Sequence, residues 1–178
     1  MGLIVDPLEI AWRGAIFAAM TNGQSDVAES KPVSYSRVEM SVFADPQSRN
    51  IFGSVHGGWI LRQVDHAAYV AAARHAGKHA VTASIDRVDF RSPIRVGDLV
   101  TLCASVHWVG RTSMVIGVQV DAEDLLSGEV RHTTSCLLTF GAIDEQFRPT
   151  VVPGLERETP EEESLWEAAQ LPREQGRD

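Results

Sequence analysis

Asn50, His56, Gly57, Gly58 and Asp65 together make a group able to act on a carbonyl compound. Two successive glycines at the start of a helix leave backbone N–H groups uncovered by side chains. Those N–H groups, with the positive end of the helix dipole, favour negative charge. A carbonyl oxygen docked there is polarised, and one such donor is typically worth about 10²–10³ in rate. Asp65 follows Gly58 by seven residues, two helical turns on. A carboxylate at the margin of an apolar stripe is half-desolvated, a setting in which it serves as base or nucleophile. Each residue also has a plainer use. The glycines permit a tight strand-to-helix connection, His56 caps the helix, Asn50 forms a turn, and Asp65 is a solvated helix residue. The chemical reading rests on all of them meeting at one helix start.

Positioning this group requires a helix that begins at residue 57, and residues 57–76 supply one. At 100° per residue Ile60, Leu61, Val64, Ala67, Ala68, Ala71 and Ala72 fall on one stripe, and Gly77 suits a C-terminal cap. A stripe so rich in alanine lets a helix lie close against a sheet. The remaining apolar pattern alternates. Val38, Met40 and Val42 form one strand; Val100, Leu102, Ala104, Val106 and Trp108 another; Met114, Ile116, Val118 and Val120 a third; and Val130, Cys136, Leu138, Phe140 and Ala142 a fourth. Between helix and sheet, Val81, Ala83 and Ile85 share one parity and Val88 and Phe90 the other, which predicts a bulge near Asp86–Arg87. Short turns at Ser92–Asp98, Gly110–Arg111 and Leu126–Glu129 join the later strands with no helical crossover, so the pairing is expected to be antiparallel. The fold class is α+β, with one long helix on a single sheet face. Residues 1–31 show no sustained period and read as an N-terminal extension, 32–153 as the domain, and 154–178 as an acidic tail with a short surface helix over 161–170.

Composition narrows the function. With 44% hydrophobic and 22% charged residues, the chain is neither disordered nor collagenous. Its net charge of −8 resides in the two ends, and residues 31–153 balance to zero. A neutral body lacks the clustered basic surface that nucleic-acid binding needs. No apolar run reaches the roughly 18 residues of a membrane span. The apolar run Ala15–Met20 is too short for a secretory signal, and the sequence leaves open whether Met1 or Met20 is the first residue. Cys103 and Cys136 lie in alternating apolar runs and read as buried free thiols of a reducing compartment. There is no Gly-x-Ser-x-Gly elbow; Ser54 misses it by one place. His75 and His79 have helical spacing, but Gly77 between them ends the helix, so no shared metal is expected. Asp121, Glu123 and Asp124 read as a solvated strand end.

The run Asn50-x-x-Gly53-x-x-His56-Gly57-Gly58, followed by Asp65, resembles the signature of the hotdog-fold acyl-CoA thioesterases. The resemblance continues through Val81–Phe90, Pro93, Val96-Gly97-Asp98, Gly110-Arg111-Thr112-Ser113-Met114, and Phe140, Ala142, Asp144, Arg148-Pro149 and Pro153, and covers roughly residues 33–170. It implies a long central helix wrapped by an antiparallel five- or six-stranded sheet. It implies hydrolysis of acyl-CoA to acid and free CoA in the cytoplasm, with no metal and no organic cofactor. It further implies a homodimer at least, up to a trimer of dimers, paired edge to edge with the site at the interface. In that scheme the Gly57 N–H polarises the thioester carbonyl with help from His56 and Gly58. Asp65 activates water or attacks directly, and Asn50 of one subunit faces Asp65 of the other. The CoA phosphates call for cations; Arg91, Arg95 and Arg111 are the candidates, with Thr112 and Ser113 as hydrogen-bonding partners. The alternative is a hotdog module that binds acyl-CoA without hydrolysing it. Asp65 argues against that, because binding alone needs no base. A dehydratase would need a histidine–acid pair in a different motif.

Overall fold

A computed structural model describes residues 29–174. Most of the expected N-terminal extension, up to residue 28, lies outside the described residues, as does the tail beyond 174. In chain order the elements are β1 (Lys31–Pro32), α1 (Val33–Ser36), β2 (Val38–Phe43), a 3₁₀ turn (Pro46–Ser48), α2 (Gly57–Ala76), β3 (His79–Phe90), β4 (Leu99–Val109), β5 (Ser113–Glu123), β6 (Val130–Ile143), β7 (Leu155–Glu156) and α3 (Pro160–Glu174). Five strands form one antiparallel sheet in the order β2-β4-β5-β6-β3. A two-residue parallel pairing joins β1 to β7.

Helix α2 has the predicted bounds. It ends because Gly77 takes the left-handed conformation (φ +65°) and returns its N–H to the Ala73 carbonyl. Its inner stripe, Val64, Ala67, Ala68, Ala71 and Ala72, has no exposed surface. Facing it, Leu102, Val106, Ile116, Leu138 and Phe140 are equally closed off. Each large apolar side chain buried this way contributes roughly 1.5–3 kcal/mol, and the alanines let the sheet approach the helix closely enough to gain it.

The register shows which face of each strand is inside. In β3 the series turned toward the helix is Ala80, Thr82, Ile85, Val88 and Phe90, because the strand slips register twice, between Thr82 and Ser84 and between Ile85 and Arg87. The second slip is the expected bulge at Asp86. The first was not foreseen, and it removes Val81 and Ala83 from the inner series. A further irregularity at His107 lets that ring lie over Gly117 of β5, where any Cβ would collide with it. Burial pushes the His107 pKa down to about 4. Of the two cysteines only Cys136 is buried, its thiol raised to about 11 chiefly by burial. Cys103 is exposed: Leu102 and Ala104 take the inner face, so alternation sends residue 103 outward.

The acidic tail is more tightly held than a surface helix. His75, fully buried near the end of α2, holds the Pro153 carbonyl through Nε2 at 3.1 Å. Helix α3 then packs on the outer face of the sheet. Trp166 lies 5.9 Å from Trp108, and the Arg157 guanidinium stands 4.4 Å above the Trp166 ring. Glu162, 5% exposed, accepts from Arg37 at 3.0 Å and from the Glu158 N–H at 2.7 Å.

Candidate active site

The start of α2 is built to leave backbone donors open. The first four N–H groups of a helix have no intrahelical partner. Trp59 N–H is taken up by His56, whose Nδ1 accepts it at 3.0 Å, and Ile60 N–H reaches the His56 carbonyl. Those of Gly57 and Gly58 have no partner among the described residues, and both glycines are exposed. His56 is therefore the helix cap. Gly58 leaves that cap uncrowded, since a Cβ there would stand 3.3 Å from His56 Nδ1. Gly57 is open except on one side, where the Phe90 ring would touch an added Cβ at 3.5 Å. A cavity of about 390 Å³ opens here, lined by Val55, Gly57, Ile60, Phe90, Arg91 and Ile94. It is an apolar slot with the Gly57 N–H at one wall, and Arg91, which also lines a cavity on the outer face of the sheet, borders it.

Asp65 lies about 12 Å further along the helix axis and is half-buried. Its Oδ1 accepts a hydrogen bond from Thr82 Oγ1 at 2.6 Å. The inward turn of Thr82, which follows from the unforeseen register slip, is what brings that hydroxyl to the carboxylate. Oδ1 is held and Oδ2 carries no hydrogen bond among the described residues. Asn50 sits in the loop before the helix, and within one protomer its side chain serves that loop. Oδ1 accepts from Phe52 and Ser54 N–H, and Nδ2 donates to Ser54 Oγ. Ile51 and Phe52 at the loop tip are 92% and 86% exposed. These are large apolar groups pushed into solvent beside the site.

The other expected binding residues divide by position. Arg91 lines the slot at Gly57. Arg95 is in the same turn and pairs with Asp124 at 3.8 Å. Arg111, Thr112 and Ser113 are elsewhere. The Thr112 carbonyl accepts from Ala142 N–H, and Ala142 pairs with Ala80 just past the end of α2, so this turn lies at the opposite end of the sheet from Gly57. Thr112 and Ser113 are 3% and 0% exposed. Within a protomer their side chains are therefore buried. Thr82 and Phe90 were not foreseen as site residues. The one available signal was a hydroxyl residue in a strand directly after the helix.

A helix wrapped by one antiparallel sheet, with bare N–H groups at its start and an acid two turns on, defines a thioesterase-type hotdog domain. The thioesterase superfamily pattern matches residues 52–129. Protein VdlD of Helicobacter pylori is 39% identical over 134 residues, covering 75% of this chain and 76% of the relative. An acyl-CoA thioester hydrolase of Bacillus subtilis, YkhA, is 40% identical over 141 residues, 79% of this chain and 78% of its own. Among solved structures, an apo-hexameric acyl-CoA thioesterase superposes with a TM-score of 0.80 at 41% identity, covering 83% of this chain and 94% of that one. An acyl-CoA hydrolase of Staphylococcus aureus, solved with butyryl coenzyme A and coenzyme A, gives 0.77 at 32% identity, covering 82% and 89%. The chain belongs to the hotdog-fold acyl-CoA thioester hydrolase family. Structures of the S. aureus enzyme also exist with alanine replacing an asparagine, an aspartate 15 residues further on, and a threonine 17 residues beyond that. Asn50, Asp65 and Thr82 have the same residue types at the same spacing.

Proposed function

We propose that this chain hydrolyses acyl-CoA thioesters to the free acid and CoA, at a site that joins Gly57 and the Asn50 loop of one subunit to Asp65 of the partner subunit. The observation that carries it is the pair of unpartnered N–H groups at Gly57 and Gly58 on the same helix as a carboxylate held by Thr82. The thioester carbonyl oxygen docks on the Gly57 N–H, with Gly58 and the helix dipole sharing the developing charge. Asp65 of the partner subunit, through its open oxygen, takes a proton from water as that water attacks the carbonyl carbon, or attacks the carbon itself. The tetrahedral intermediate then expels the CoA thiolate, which is protonated to the thiol. The acyl chain enters the apolar slot beside Phe90 and Ile60, and Arg91, bordering it, meets a CoA phosphate. His56 acts through its cap, holding the helix start in place.

Asp65 and the Asn50 loop of one chain do not meet, and the exposed Ile51, Phe52 and Phe90 mark the surface that a second subunit covers. β3 is a sheet edge, so antiparallel pairing of two β3 strands supplies a two-fold arrangement. Such a two-fold also brings the Arg111 end of one sheet toward the Gly57 end of the other. Mixing subunits tests this. Asn50→Ala and Asp65→Ala proteins are each expected to be inactive, but randomised dimers of the two carry one intact site in half the molecules. The expected thiol release is about one quarter of wild type, by two-fold statistics. No recovery on mixing contradicts a shared site.

Thr82 is expected to act through Asp65. Thr82→Val keeps the shape and removes the hydroxyl. A hydrogen bond to a charged group is worth about 1.5–3 kcal/mol, so kcat is expected to fall roughly 10- to 100-fold. KM for acyl-CoA and the melting temperature stay near wild type. Steady-state kinetics with the variant check this, and an unchanged kcat contradicts it.

A further inference from the structure

Three side chains on the outer face of the sheet, away from α2, are joined in line. His132 Nδ1 lies 2.9 Å from Asp121 Oδ1 and His132 Nε2 2.8 Å from Ser135 Oγ; in the neutral tautomer that donates to the carboxylate, Nε2 accepts from the hydroxyl. Asp121 is oriented by Gln119, whose Nε2 lies 3.0 and 3.3 Å from its two oxygens. The strands enforce the arrangement: Asp121 pairs directly with His132 across β5 and β6, and Ser135 is opposite Gln119. The carboxylate and imidazole side chains are 26% and 29% exposed, half-desolvated but reachable. Ser135 also lines a groove of about 730 Å³ between the sheet and α3. An acid orienting an imidazole that in turn accepts a serine proton is the arrangement that activates a hydroxyl nucleophile. None of these residues takes part in the Gly57–Asp65 site.

We infer that Ser135 is a second, independent nucleophile that accepts an acyl group from carboxylic esters entering the groove under α3. As Ser135 Oγ attacks the ester carbonyl carbon, its proton passes to His132 Nε2 and the carbonyl electron pair moves onto oxygen. Collapse of the intermediate breaks the bond to the alcohol, which leaves with the proton from His132. The products are acyl-Ser135 and the free alcohol, and no oxidant or reductant is needed. The backbone around Ser135 lies within the ladders to β5 and β3, so no free backbone donor awaits the oxyanion. The cations lining the groove are Arg87, paired with Asp89 at 2.8 Å, Arg91 and Arg37. One missing oxyanion donor costs about 10²–10³ in rate, so the reaction is stoichiometric acylation with slow release rather than rapid turnover.

The test uses the full chain with an alkyl fluorophosphonate and, separately, p-nitrophenyl acetate, read by intact mass and peptide mapping. The expected result is one adduct per chain on Ser135, absent in Ser135→Ala. In His132→Gln, labelling slows by about 10²-fold or more, as loss of a general base demands. Asp121→Asn serves as a second relay variant, and circular dichroism with thermal melting shows that each variant is folded. An adduct on another residue, no adduct at all, or labelling of folded His132→Gln and Asp121→Asn at the wild-type rate overturns the inference. Since Asp65→Ala leaves this chemistry untouched, the outcome is separate from that of the thioesterase reading.

Discussion

Asp65→Ala is expected to lower acyl-CoA turnover by about 10²–10⁴-fold, the range over which a positioned acid–base group acts. The reason lies in how little else in the slot can do its work. The wall at Gly57 offers neutral donors, which stabilise charge but take no proton. Arg91 is a permanent cation, and the His56 ring is occupied at Nδ1 by the helix cap. The substitution removes a half-buried carboxylate whose one hydrogen-bond partner among the described residues is the Thr82 hydroxyl, so no buried charge is stranded and the fold is expected to persist. Stopped assays of thiol release, with circular dichroism as the folding control, measure it. Turnover within about tenfold of wild type, well short of that range, would move the base elsewhere.

The second large effect is on stability. Asp98→Ala is expected to cost about 3–5 kcal/mol, because it strands a buried charge. Asp98 is 4% exposed at its side chain and Arg131 15%, and their contact is 2.6 Å. The same carboxylate accepts from Arg95 N–H, and Arg131 also reaches the Pro93 carbonyl. The pair thereby ties the turn at 92–98 to β6, and that turn carries Ile94, whose carbonyl holds Val55 N–H beside the site. Against a typical total of about 5–15 kcal/mol, such a loss is a large fraction of the stability. Asp98→Ala with Arg131→Met should recover much of it, since no lone charge then remains. Urea denaturation of wild type and the two variants checks this. A loss below about 1 kcal/mol in Asp98→Ala would mean that Arg131 finds water.

Much of the site could be read before the fold was known, because the signals are local. The 3.6-residue stripe and its flanking glycines define α2, and the parity change in β3 announces one bulge. What escaped depends on register, which no local pattern carries. Val81, Ala83 and Ile85 alternate as well as any inner series, so nothing in them reveals that Thr82 faces the helix. Asp121 reads as a strand-end acid until the pairing of β5 with β6 sets it against His132. Thr112 and Ser113 adjoin a turn, but β5 begins at Ser113 and draws both inside. The tail's charge hides the apolar side of α3, where Leu165, Trp166 and Ala169 pack toward the sheet.

The most direct test is thiol release from a panel of short, long and aromatic acyl-CoAs, run with wild type and Asp65→Ala in parallel. The expected result is release by wild type with at least one chain class, and its disappearance in the folded variant. Equal release by both proteins, or none from any thioester despite measurable acyl-CoA binding, would contradict hydrolysis at Gly57 and Asp65.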